Sequence, residues 1–293
     1  MIHILCILIV VIWGTTFVST KVLLDAGLSP EFIFFLRFSI AYIAMIFVAK
    51  KQLWSNSLKH ELTFIVLGLT GGSLYFLAEN IAISYTYTSN VSLIVSIAPL
   101  LTLFLSYAIN RSQHISKMTT AGAIIALLGI YIVITNGSFM LSMQPIGDIL
   151  SLTAAALWAV YSNALQELAK EYNTRFITRK VFGYGLITIL PVLFVRNSFD
   201  WHLLSDTSVI LNLLFLSVIA SLLCYIGWNF AIRKIGAVRP TMYVYFVPLI
   251  TIVASSLLID EPVTLATVVG TLITIVGVYI SQTKNLVSLH KND

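Results

Sequence analysis

The chain is 293 residues long, 58% hydrophobic and 10% charged, with a mean hydropathy of +0.95. So few charged groups on so much apolar chain exclude every soluble globular class. The net charge of +5 raises the question of an anionic partner such as nucleic acid, which the distribution of the basic residues removes.

A spanning helix needs about 20 predominantly apolar residues, because lipid satisfies no backbone polar group. Ten such segments are predicted, at 2–24, 32–49, 62–84, 88–109, 119–135, 147–166, 176–195, 209–232, 238–259 and 264–281. The connections are short and leave no room for a soluble domain. The expected fold is an all-α integral membrane protein.

Helix 1 holds Trp13-Gly14-Thr15-Thr16 near its midpoint, followed by Ser19 and Lys21. It is too long for a signal-peptide core and lacks a small-residue cleavage site, so it reads as a span. Helix 2 follows Pro30 and carries Arg37. Helix 3 contains Gly68 and Gly72, a small-xxx-small pair that admits a close neighbour, and then presents Tyr75, Glu79 and Asn80. Helix 4 begins after a bend near Tyr85 to Ser89 and is interrupted by Pro99, while helix 5 has Gly122 and Gly129 on one face. In the second half Trp158 lies in helix 6, Arg179 early in helix 7, Pro248 within helix 9, and Gly270 and Gly277 in helix 10. Cys6 and Cys224 both lie inside apolar segments, which suits packing better than a disulfide.

These correspondences are not incidental. A shift of 149 residues lays Asn80 on Asn229, Ala82-Ile83 on Ala231-Ile232, Val95 on Val244, Pro99-Leu100 on Pro248-Leu249, Thr102 on Thr251 and Ser106 on Ser255. Matches between apolar residues are cheap in such a chain, but Asn and Pro are rare in it and recur at one shift. The chain reads as a duplication. Each half has five segments, an odd number, so the copies enter the membrane from opposite faces. That gives ten transmembrane helices as two inverted five-helix repeats, over 1–140 and 141–293. Inverted repeats mark secondary transporters, whose site lies near the midplane at the repeat interface.

With the N-terminus placed inside, all of the 17 basic residues except Lys21, Arg37 and Arg196 fall on the inner side or in the tail. Acidic Asp260 and Glu261 sit in an outer loop. This positive-inside bias predicts cytoplasmic N- and C-termini. The basicity reports topology; no nucleic-acid partner is expected.

The Trp13-Gly14-Thr15-Thr16-Phe17 opening, Arg37-Phe38, and the Glu79–Ser106 stretch resemble the EamA family of the drug/metabolite transporter (DMT) superfamily. The most specific part is Ala82-x-x-Tyr85-Thr86, then Leu93-Ile94, then Pro99. The likeness covers essentially the whole chain as two EamA-type repeats. It implies a multi-pass exporter of amino acids or related small metabolites in a bacterial inner (plasma) membrane, with a central cavity walled by helices 1, 3, 4, 6, 8 and 9. The small multidrug members place a Glu in the middle of helix 1. Here that region is Trp13-Gly14-Thr15, so their proton exchange does not carry over.

The candidate substrate-binding residues are Trp13, Tyr75, Ser96, Trp158, Trp228 and Tyr245, expected to border one mostly apolar chamber. Ser96 and Tyr245 stand three residues before their prolines, near the bends. A mid-helix Trp lines a pocket for apolar or cationic groups, or simply packs. Pro99 and Pro248 each remove a backbone donor, leaving the carbonyls of Val95 and Val244 free, and serve as paired hinges or as static kinks. Arg37 and Glu79 lie at the same depth, about 7–8 Å below the outer boundary at 1.5 Å per residue, with Lys21 as a second nearby cation. They either form a fixed ion pair or make Glu79 a protonatable group, with a proton as coupling ion.

The five histidines, His3, His60, His114, His202 and His290, are scattered at segment ends and loops. No metal, cofactor or catalytic residue is expected, and the chain does not read as an enzyme. A lipid or lipid-linked flippase on the same scaffold, a multidrug exporter and a non-transporting receptor or assembly factor are the other readings.

Overall fold

The computed structural model describes residues 2–49, 53–109, 117–134, 145–199 and 201–290. The helical stretches are α1 (Ile2–Asp25), α2 (Pro30–Val48), α3 (Leu58–Tyr85), α4 (Thr88–Ile109), α5 (Lys117–Ile134), α6 (Pro145–Leu168), α7 (Thr174–Arg196), α8 (Thr207–Ile235), α9 (Arg239–Leu258) and α10 (Leu265–His290). No strand occurs among the described residues. Eight of these stretches are long and apolar enough to cross a membrane; in α5 and α10 the apolar parts, Thr120–Val133 and Leu265–Gly277, are shorter. The chain is a multi-pass membrane protein.

Several helices start earlier than hydropathy suggests, because their first turns are polar and capped. Ser29 accepts from the Phe32 amide at 3.3 Å, Ser57 from His60 at 3.2 Å, and Asn173 from Phe176 at 2.8 Å. Each cap satisfies a donor that the helix itself leaves orphaned.

Two breaks in regularity shape the interior. α3 widens into a π segment over Leu69–Ser73, and α8 does so over Phe215–Leu223. In both, an amide reaches back five residues, Leu74 to Leu69 and Cys224 to Ile219, and the extra residue rotates whatever follows.

Packing between the halves is reciprocal. α1 lies against α8 and α9, while α6 lies against α3 and α4. α2 contacts the π segment of α8, and α7 contacts that of α3. α5 and α10 form the most intimate pair. There a Cβ on Gly129 would come within 2.5 Å of the Gly270 carbonyl, so the two backbones touch and only glycine fits. The shifted asparagines make corresponding tethers. Asn80 donates to the Pro30 carbonyl at the start of α2 (3.0 Å), and Asn229 donates to Thr178 near the start of α7 (2.9 Å).

Candidate functional site

The π segments place two aromatic side chains. Tyr225 Oη donates to the Gly71 carbonyl in the wide turn of α3 at 2.7 Å, and Trp13 Nε1 donates to the Ala220 carbonyl in that of α8 at 3.1 Å. A wide turn displaces the regular ladder, so a side-chain donor can occupy what the backbone leaves. Each bond fixes an aromatic ring from one half of the chain against the other half.

Around these anchors a box of rings closes. Trp13 and Trp158 meet edge to face at 5.5 Å between ring centres, and Tyr75 lies 5.2 Å from Trp158. Such tilted contacts suit the ring quadrupole. Inside them lies a cavity of about 50 Å³ whose wall includes Trp13, Tyr75 and Trp158 with Arg37, Glu79 and Tyr225. The space admits a few water molecules and no metabolite. In this conformation the site is contracted.

Arg37 and Glu79 are 2% and 3% exposed and both open on this cavity. The ion pair expected from their common depth does not form, since no contact within 4.0 Å joins them. Arg37 Nε instead donates to Ser221 Oγ at 2.6 Å, and its guanidinium lies 4.5 Å from the Phe76 ring centre. Glu79 Oε2 accepts from Tyr75 Oη at 2.5 Å. Each charge is thus held by a neutral partner on an adjacent helix or turn. Lys21 does not join them: its Nζ is 2.7 Å from Asp25, one turn along α1, and its side chain is 29% exposed. That partner is local and hydrated, so nothing draws the lysine inward.

The remaining expected residues are spread around the box. Trp228 is fully buried behind Trp13, 4.8 Å between ring centres, and its indole N–H has no acceptor among the described residues. Ser96 and Tyr245 are off the wall. Ser96 lies where α4 breaks, its hydroxyl turned back to the Leu93 carbonyl at 2.6 Å. Tyr245 lies in a 3₁₀ turn, Met242–Phe246, and packs with Ala126 of α5. Both stand at the bends, as expected, but a break and a tighter turn change the angle per residue, which turns the side chains off the wall. Pro99 and Pro248 each stand second in a freshly started helical segment, Ala98–Ile109 and Val247–Leu258. A proline costs nothing there, because the amide it lacks is an orphan in any case. The Val244 carbonyl is not free but accepts from the Val247 amide.

Four residues that matter to the geometry escape a reading by composition. Tyr225 and Phe76 correspond under the 149-residue shift, and both wall the cavity; extending the repeat three residues upstream of Glu79 finds them. Glu61 accepts from Lys180, from Tyr184 and, at 2.9 Å, from the Ser55 amide. Glu261, from the connection after α9, accepts from the Thr88 amide at 2.7 Å and from the Ser89 amide and hydroxyl. A carboxylate there caps α4 and complements the positive end of its dipole. These two carboxylates tie the bundle at its opposite ends, on either side of the cavity.

The sequence matches the model of the EamA-like transporter family over residues 1–135 and 145–283. It is 30% identical over 276 residues to an uncharacterized transporter of Archaeoglobus fulgidus, covering 93% of this chain and 95% of that one. It is 26% identical to a probable amino-acid metabolite efflux pump of Escherichia coli, over 95% and 93% of the two chains. It is 23% identical to a probable terminal-alkyne amino-acid exporter of Streptantibioticus cattleyicolor, over 96% and 93%. A solved crystal structure of another protein, 18% identical, superposes with a TM-score of 0.66 over 100% of this chain and 98% of that one. At that identity the likeness concerns the fold alone.

Proposed function

Because the chain belongs to the EamA-like transporter family of the DMT superfamily, we propose that it exports amino acids or related small metabolites bearing an apolar or aromatic portion. The observation that carries this reading is a contracted aromatic cavity, with two charges opening on it, where α1, α2, α3 and α4 meet α6, α8 and α9. Aromatic walls take apolar or cationic groups, and a water-excluding site strengthens contacts to polar ones. The names of the Escherichia coli and Streptantibioticus relatives are consistent with such a substrate.

The protein works by alternating access between two inverted five-helix repeats, 1–140 and 141–293, in the cytoplasmic membrane with both termini inside. Reciprocal packing, the two π segments and the paired asparagine tethers support the repeat. Glu61 with Lys180, and Glu261 on the start of α4, are the contacts that open in turn, with the breaks before Pro99 and Pro248 as pivots. A proton is the coupling ion.

Counterflow in proteoliposomes tests the reading. Vesicles preloaded with phenylalanine, tryptophan, leucine or methionine should accumulate the labelled counterpart at least about tenfold over empty vesicles, while fluorescent phospholipids stay in their leaflet. Lipid movement without amino-acid exchange contradicts export and favours a flippase. For orientation, a cysteine at Asp206 should react with an impermeant thiol reagent from outside the cell; labelling from the cytoplasmic side alone reverses the topology.

A further inference from the structure

Arg37 is a buried cation with an unused end. Its Nε is bonded to Ser221 Oγ, and its guanidinium makes no other hydrogen bond among the described residues. The Phe76 ring 4.5 Å away holds the plane, and the cavity lies beyond. The two terminal nitrogens of such a fork match a carboxylate in bidentate fashion. Glu79 opens on the same cavity with one oxygen bonded to Tyr75 and the other, Oε1, without a hydrogen bond among the described residues. An unpaired charge this deep is costly in a membrane, and both charges are spared the simplest remedy, which is to pair with each other. The intervening cavity holds them ready for something that carries both opposite charges.

We propose that Arg37 and Glu79 form a head-group site for a zwitterion, Arg37 taking the α-carboxylate and Glu79 the α-ammonium, while the Trp13–Trp158 box takes the side chain. The inference rests on the amino-acid reading above and sharpens it. The site selects for both backbone charges and is permissive toward the side chain. Ser221 and Tyr75 position the two charges. A substrate lacking one charge leaves its partner buried and unpaired, which is how a polar site rejects an uncharged analogue.

The experiment is counterflow inhibition in proteoliposomes with phenylalanine, its amide, its N-acetyl derivative and phenethylamine. The wild-type protein should take phenylalanine at least about tenfold better than any of the three analogues, in line with the loss of a charged hydrogen-bonding partner. Arg37→Gln should abolish the preference over the amide and keep the preference over N-acetylphenylalanine; Glu79→Gln should do the reverse. Arg37→Lys, which keeps the charge and loses the fork, should fall between. Equal use of phenylalanine and its amide by the wild-type protein overturns the inference and leaves amino-acid export standing. Failure to exchange any amino acid overturns both. If a variant does not fold, as judged by size exclusion in detergent, the wild-type analogue series decides alone.

Discussion

The two halves of the chain meet at one cavity and bring different chemistry to it. The 149-residue shift lays Pro99 on Pro248, Asn80 on Asn229 and Phe76 on Tyr225, yet it lays Glu79 on Trp228 and Arg37 on Leu186. Both charges on the cavity wall belong to the first half. In the second half the corresponding place in α8 holds a fully buried indole packed on Trp13. A symmetric pair of carboxylates would place like charges together in a dry site, at a cost that neither lipid nor a neutral partner offsets. The difference at these positions lets one half supply charge and the other supply surface.

The largest effect that sharpens this comparison lies at Glu79. If it is the group that exchanges protons with the substrate side, Glu79→Gln should weaken amino-acid exchange about tenfold or more. The exchange that remains should no longer respond to an imposed pH gradient. Uptake measured with and without a gradient reads both effects. A variant driven by the gradient as strongly as the wild-type protein breaks the assignment of coupling to the first half.

A smaller effect separates the two tethers. Asn229 accepts from Tyr161 Oη at 2.8 Å as well as donating to Thr178, whereas the Oδ1 of Asn80 is buried without a partner among the described residues. Asn229→Ala strands the Tyr161 hydroxyl and should cost about 2 kcal/mol. Asn80→Ala removes a single interhelical bond, about 0.6 kcal/mol on average in a membrane protein. Thermal unfolding in detergent should therefore rank Asn229→Ala well below Asn80→Ala. Equal losses would mean that the second half holds its frame no more tightly than the first.

How much of this was legible depends on what each residue signals. Trp13 and Trp158, rare residues far from the interface belt, pointed to the chamber wall that they occupy. Pro99 and Pro248 marked the breaks in α4 and α9 because no apolar run hides a proline. Ser96 and Tyr245 stand at the bends, as their spacing from the prolines indicates, but off the cavity wall, because the backbone stops or tightens there and spacing does not give the side-chain direction. The π segments were invisible: Leu69–Ser73 and Phe215–Leu223 look like any other membrane helix in composition. Depth along a helix gave Arg37 and Glu79 the same level and said nothing of the angle between them. Their separate partners, Ser221 and Tyr75, follow from rotation that hydropathy does not encode. Glu61 and Glu261 read as ordinary loop-proximal charges until the opposing elements are in place.

The central claim is that one cavity between the halves faces each side of the membrane in turn. The direct measurement places a single cysteine at Val247, on the cavity wall contributed by α9, with Cys6 and Cys224 replaced by serine. An impermeant thiol reagent is then applied to sealed vesicles of each orientation. Alternating access predicts reaction from both sides, slowed at least about fivefold by saturating substrate on either side. Reaction from one side only, unchanged by substrate, would contradict it.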